Sequence, residues 1–184
     1  MFLRIWRLVS IVLAALSLTM ESAHLLELPQ KLHYTEQMYS AVNTTLYRDF
    51  AIIGGMYQIG SIAMALILVY LVRERRPSFQ WTMTGALFLA AALAIWIGLV
   101  EPVNRQIGSA LRDMPDSVPA LWQQVRNQWE FGHAAGFFTQ LIGFCALMYS
   151  VLVETPERLS DVLQRSDAET AAVAGDWAVS GHPF

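Results

Sequence analysis

The sequence predicts an all-α protein, an integral membrane four-helix bundle with both termini in the cytoplasm. Three observations predict it. Of 184 residues, 55% are hydrophobic and only 15% are charged, whereas a soluble domain carries about 25% charged residues. Mean hydropathy is +0.40. The apolar residues also gather into runs: 50–72, 79–100 and 131–153 contain no Lys, Arg, Asp, Glu or Pro. A hydrocarbon core about 30 Å thick takes about 20 such residues per helix. The apolar content excludes a disordered chain. A net charge of -3 offers no basic footprint for nucleic acid. The single cysteine, Cys145, excludes an internal disulfide framework and a Cys-rich zinc module.

The first span covers 8–28. It is apolar through Leu18, then carries Glu21, His24 and Glu27 before Pro29, which is expected to stop it. Met1–Arg7 with a short apolar run also has the outline of a signal peptide. No small-x-small cleavage site follows, which favours a retained helix. After Pro29, Thr35 is a candidate N-cap for a helix-compatible run to Tyr47 that leads into the second span, 50–72. There, Gly54, Gly55, Gly60 and Ser61 suit close packing, and Gln58 suits a hydrogen bond between helices. A very short loop with Arg73, Arg75 and Arg76 precedes the third span, 79–100. Pro115 and Pro119 bracket a turn, and Ala120–Trp129 begins a helix that continues into the fourth span, 131–153. Trp122 and Trp129 suit the membrane interface, Cys145 a small buried apolar position, and Gln140 another interhelical bond. The domain is therefore 1–154. The polar stretch 155–184 reads as a poorly ordered cytoplasmic tail.

Arg4, Arg7, Arg73, Arg75, Arg76, Arg158 and Arg165 lie close to span ends on one side. That side is cytoplasmic by the positive-inside rule, in a plasma (inner) membrane, and the loops Pro29–Asp49 and Glu101–Glu130 face outward.

Ionisable groups are costly at membrane depth, so their distribution is informative. They gather at the outer ends of the spans: Glu21, His24 and Glu27; Tyr47, Arg48 and Asp49; Glu101, Asn104 and Arg105; Glu130 and His133. At about 1.5 Å per residue, His24 rises about 25 Å above Arg7, and His133 about 30 Å above Glu154. Both imidazoles are expected in one outer layer. Glu21-x-x-His24 and Glu130-x-x-His133 share a spacing that puts each pair on one helix face. With Asp49 and Glu101 they form a candidate metal set for iron, manganese, zinc or copper, as in four-helix carboxylate di-metal proteins. A second reading has His24 and His133 ligating haem from two sides, with Gly132 and Gly136 giving room. A third is an ion-pair network joining Glu21, Glu101 and Glu130 to Arg48, Arg105 and the imidazoles.

Two passages resemble a group of small four-helix membrane proteins that includes the anthrone oxygenase-like proteins. They are Ala23-His24-Leu25-Leu26-Glu27-Leu28-Pro29 with Lys31, and Pro102-Val103-Asn104 followed by Trp129 and His133. The resemblance spans about residues 20–150. It implies a shared fold and an oxygenase-like oxidoreductase without a dedicated organic cofactor, with Asn104, Trp129 and His133 in the catalytic positions. The chain departs from the group in having Gly136 and Phe137 where an Arg often follows that His. The first expectation is thus a membrane protein whose outer Glu/His layer binds a metal or small molecule and supports oxidation. The alternative is a non-catalytic subunit or scaffold, with other membrane subunits or a second copy as partners beside the bilayer. A transporter comes third, since one such unit is small for alternating access.

Overall fold

A computed structural model describes residues 1–154; the tail reading for 155–184 lies outside the described residues. Among the described residues the regular elements are all helical. Helix α1 runs Phe2–Lys31, α2 Glu36–Thr45, α3 Phe50–Leu71 and α4 Ser78–Ile95. A π-helical turn over Trp96–Val100 joins α4 to α5, Glu101–Asp113. A 3₁₀ turn at Pro115–Ser117 then leads into α6, Val118–Leu152.

Four stretches are long and apolar enough to cross a bilayer: Phe2–Lys31, Phe50–Leu71, Ser78–Asp113 and Pro115–Leu152. The chain is a multi-pass membrane protein. An even number of spans returns the chain to the side on which it started. The helices form a ring in which α1 packs against α3 and α6, and α4 packs against the same two.

The half of the bundle nearer the loop between α3 and α4 is closely packed. Ala14, Ala65, Val69, Ala86, Leu89 and Leu147 form its core. A Cβ at Gly85 would sit 2.7 Å from Leu147 Cγ and 3.0 Å from the Gly143 carbonyl. Helices α4 and α6 approach that closely because both residues lack a side chain, the usual route to van der Waals association in lipid. Ser78 adds a polar tie, donating to the Ser150 carbonyl at 3.0 Å.

Several boundaries differ from expectation. Helix α1 continues through Pro29 to Lys31. A proline this near the C-terminus removes only one intrahelical bond, and the carbonyls at and just beyond the helix end are met by α6: the Arg126 guanidinium donates to those of Lys31, Leu32 and Tyr34. Thr35 caps α2 as its sequence position suggests, accepting from the Met38 amide. Residues 46–49 then form a turn, so α2 does not run into α3. The region 101–117 is mostly helical. Pro102 has no N–H for the carbonyl of Gly98, and its ring crowds that carbonyl. The wider turn before it absorbs the mismatch, with the Glu101 amide bonding the Trp96 carbonyl. Beyond it, α5 buries Val103, Ile107 and Ala110 along one stripe.

That stripe joins Tyr39, Val100, Val118, Trp122 and Trp129 in an apolar cluster at the opposite end of the bundle, beside α2. Trp122 and Trp129 are buried, rather than lying in an interfacial belt. Cys145 is exposed on the outside of α6, not buried as its residue type suggests.

Candidate functional site

The depth count from sequence puts His24 and His133 at one height, and the folded chain stacks them. Their ring centroids lie 4.0 Å apart with planes 29° apart. Three aromatic rings surround His24: Tyr47 at 4.5 Å, Trp129 at 4.8 Å and Phe50 at 5.7 Å. The pair therefore joins α1 to α6 inside an aromatic box.

Each carboxylate near this box has a different partner. His133 Nδ1 lies 2.8 Å from Glu21 Oε2. Gly136 lies beside this contact, where a Cβ would stand in ordinary contact with the same oxygen at 3.5 Å. With Nδ1–H donating to the carboxylate, Nε2 is left as the basic atom of the ring. Glu130 turns away from its own His133. Its Oε1 accepts from the Tyr39 hydroxyl at 2.8 Å and faces Lys31 Nζ at 3.7 Å. Lys31 is 1% exposed and Glu130 also 1%. Lys31 reaches Glu27 at 3.3 Å and Asn43 Oδ1 at 3.4 Å, and its ammonium stands 4.0 Å from the Tyr47 ring centroid. Tyr47 donates in turn to Glu27. Burial, reinforced by the neighbouring carboxylates Glu130 and Glu27, holds the Tyr39 and Tyr47 phenols above their ordinary value of 10.0. Both remain hydrogen-bond donors.

The six-ligand metal set is not assembled. Glu21 meets His133, Glu130 meets Lys31, and Glu101 pairs with Arg105 on its own helix at 2.8 Å. Asp49 sits at the start of α3 without a side-chain capping bond. Among the described residues, no three His, Cys, Asp or Glu converge as a metal site would require. Spacing put each Glu and His on one helix face, but the neighbouring helices divided them between two networks. The two-sided haem arrangement also fails: stacked imidazoles 4.0 Å apart leave no gap for a flat ring between them. Gly132 packs against Val100 and Leu99 instead of providing such a gap. The ion-pair reading is closest in kind, although the cation that pairs with Glu130 is Lys31.

Beneath the imidazole pair lies a cavity of about 680 Å³. His24, His133, Glu21, Tyr47, Asn104 and Trp129 bound its outer end. Trp129 donates to Asn104 Oδ1 at 2.9 Å, so Asn104, Trp129 and His133 share one wall. Apolar residues of α3 and α4 supply most of the rest, among them Met56, Ile59, Ala92 and Leu93. Gln58 and Gln140 stand deeper. Gln58 accepts from Ser17 at 2.6 Å and donates to the Leu89 carbonyl at 2.7 Å, tying α1, α3 and α4 together. Gln140 is buried, yet its Nε2 has no protein partner, and neither does His24 Nδ1. The interhelical bond expected of Gln140 is absent.

Sequence reasoning placed Tyr47 in this layer but missed Lys31, Tyr39 and Arg126 as members of the network around Glu130. Glu27 and Lys31 are four residues apart, a spacing that signals a helical ion pair. The helix stop assigned to Pro29 concealed it. Tyr39 and Arg126 carry no local signal, because their partners are 91 and 95 residues away.

Compared with family models, with curated proteins and with solved structures, this chain finds no match.

Proposed function

We propose that this protein binds a small uncharged molecule in the cavity beneath the imidazole pair, and that the Glu21–His133 pair accepts a proton from it. The observation that carries the reading is the cavity itself: about 680 Å³ with apolar walls, closed at its outer end by stacked His24 and His133 with Glu21 bonded behind. Ligand sites commonly combine apolar walls with a few convergent polar groups. A carboxylate-held imidazole is a standard proton acceptor. The bound molecule is not an anion, because the one buried ammonium here, Lys31, already faces two carboxylates, Glu27 and Glu130, and Glu21 adds a third; the apolar walls favour an uncharged one. An added anion would be buried without a counter-charge.

Removal of a proton prepares an electron-rich hydroxyl compound for oxidation by molecular oxygen, the oxidant that the resemblance to the anthrone oxygenase-like group implies. In this reading His133 is the base, Glu21 orients it, and Asn104 and Trp129 complete the wall. The site lies at the outward end of a bundle set in the plasma (inner) membrane with both ends of the domain cytoplasmic, an orientation supported by the arginines beside the inner hairpin.

The test is native mass spectrometry of the protein released from lipid nanodiscs. Wild-type protein is expected to retain a small-molecule adduct, and His133→Ala and Glu21→Gln to lose at least nine-tenths of it while remaining folded. A wild-type protein without adduct in any preparation, or variants that retain it fully, would overturn the reading.

A further inference from the structure

The cavity is covered at the end where the imidazoles lie and has exposed residues along its α3 side. Above the imidazoles, the outer end is covered by α2 and by the stripe of α5. Tyr39, Val103, Ile107, Val118, Trp122 and Trp129 are all buried there, and the Lys31–Glu130–Tyr39 network stitches α1, α2 and α6 across it. The α3 side is different. Ile52, Met56 and Ile59 line the cavity while being 67, 70 and 61% exposed. They follow one face of α3 within the membrane-spanning stretch, so the surface they expose faces acyl chains. Between them sits Gly55. A Cβ there would have no atom within 4 Å, which marks open space in the middle of this wall. Leu93 and Trp96, where α4 passes into the π-helical turn, also line the cavity.

We propose that the ligand enters from the bilayer between α3 and α4. It is then a membrane-dissolved amphiphile, with an uncharged hydroxyl- or carbonyl-bearing head inside the cavity and an apolar tail lying out across Ile52, Met56 and Ile59 in the lipid. The inference rests on the binding reading above and adds the route and the class of molecule. Two residues of the lining, His24 and Gln140, carry buried polar atoms without protein partners, Nδ1 and Nε2, and a turn of either side chain would present them to the head. Such atoms are costly unless something satisfies them. A volume of about 680 Å³ holds roughly twenty water-sized groups, at about 30 Å³ each. A compact head and the first part of a tail fit, and a longer tail must leave through the open wall.

The experiment uses the full chain in phosphatidylcholine vesicles and straight-chain alcohols of eight to sixteen carbons carrying a photoreactive diazirine beside the hydroxyl. After illumination, peptide mapping locates the label. The expected result is labelling of the cavity-lining parts of α1, α4 and α6, with the longest alcohol at least as effective as the shortest. Gly55→Trp is expected to reduce labelling at least tenfold. Gly98→Trp, at an exposed position outside the cavity that also has no atom within 4 Å, leaves it unchanged. Labelling that disappears above about ten carbons, or that persists in Gly55→Trp, overturns lateral entry while leaving the binding site standing. No cavity labelling by any alcohol overturns both. The chain-length series needs no variant, so a folding defect in Gly55→Trp does not shield the proposal.

Discussion

Lys31 illustrates how a single residue changes meaning between sequence and fold. In the sequence it is a charge in an outward loop. In the structure it is buried between Glu27 and Glu130, with Tyr47 against its ammonium. Breaking a buried pair by removing one partner costs about 3–5 kcal/mol, because the other charge is left uncompensated. Lys31→Met and Glu130→Leu are each expected to destabilise the protein by about that amount. The double substitution should recover most of the loss, since no buried charge then remains between them. Unfolding in mixed micelles of rising denaturing-detergent content checks this. Additive losses in the double variant would mean that the two side chains do not stabilise one another. His24 and His133 were legible at this scale, because a count of helical rise places them at one depth. The partners of their neighbouring carboxylates were not. A spacing of three residues puts a Glu beside its own His, but says nothing about a cation offered by another helix.

At the scale of the element, glycine has opposite roles at two positions that look alike in sequence. Gly85 sits where α4 meets α6, with Leu147 and the Gly143 carbonyl in the space of a Cβ. Gly55 faces open space. Gly85→Ala is expected to cost about 1–3 kcal/mol through forced separation of the helices. Gly55→Ala is expected to be neutral, or to stabilise by up to about 1 kcal/mol through helix propensity alone. The same unfolding measurement distinguishes them, and equal behaviour would refute the packing argument. The spans themselves were visible as uninterrupted apolar runs, because a lipid-facing helix must be apolar over its whole length. Their ends were less visible. Helix α1 passed Pro29, which costs it one intrahelical bond two residues before its end, and the span after α4 stayed helical through Pro102 by widening one turn.

For the whole molecule, the positive charges predict the orientation. In a Cys145→Ser background, Gln37→Cys is expected to react with a membrane-impermeant maleimide on intact cells. Glu74→Cys, in the arginine-rich inner hairpin, should react only after permeabilisation. The reverse pattern would overturn the orientation and place the imidazole layer on the cytoplasmic side. Four spans, a bundle, and a polar layer at one end were all determined by the sequence alone. Each depends on the local cost of putting polar groups in hydrocarbon, which a sequence displays residue by residue. Which polar groups meet, and where the bundle leaves space, only the tertiary structure decided. Glu130 met Lys31, and Glu21 met His133. The space lay along α3, where a Cβ on Gly55 would meet no atom within 4 Å, with Gln140 of α6 on its lining. These outcomes depend on the rotation and approach of helices far apart in the chain, which no local pattern records.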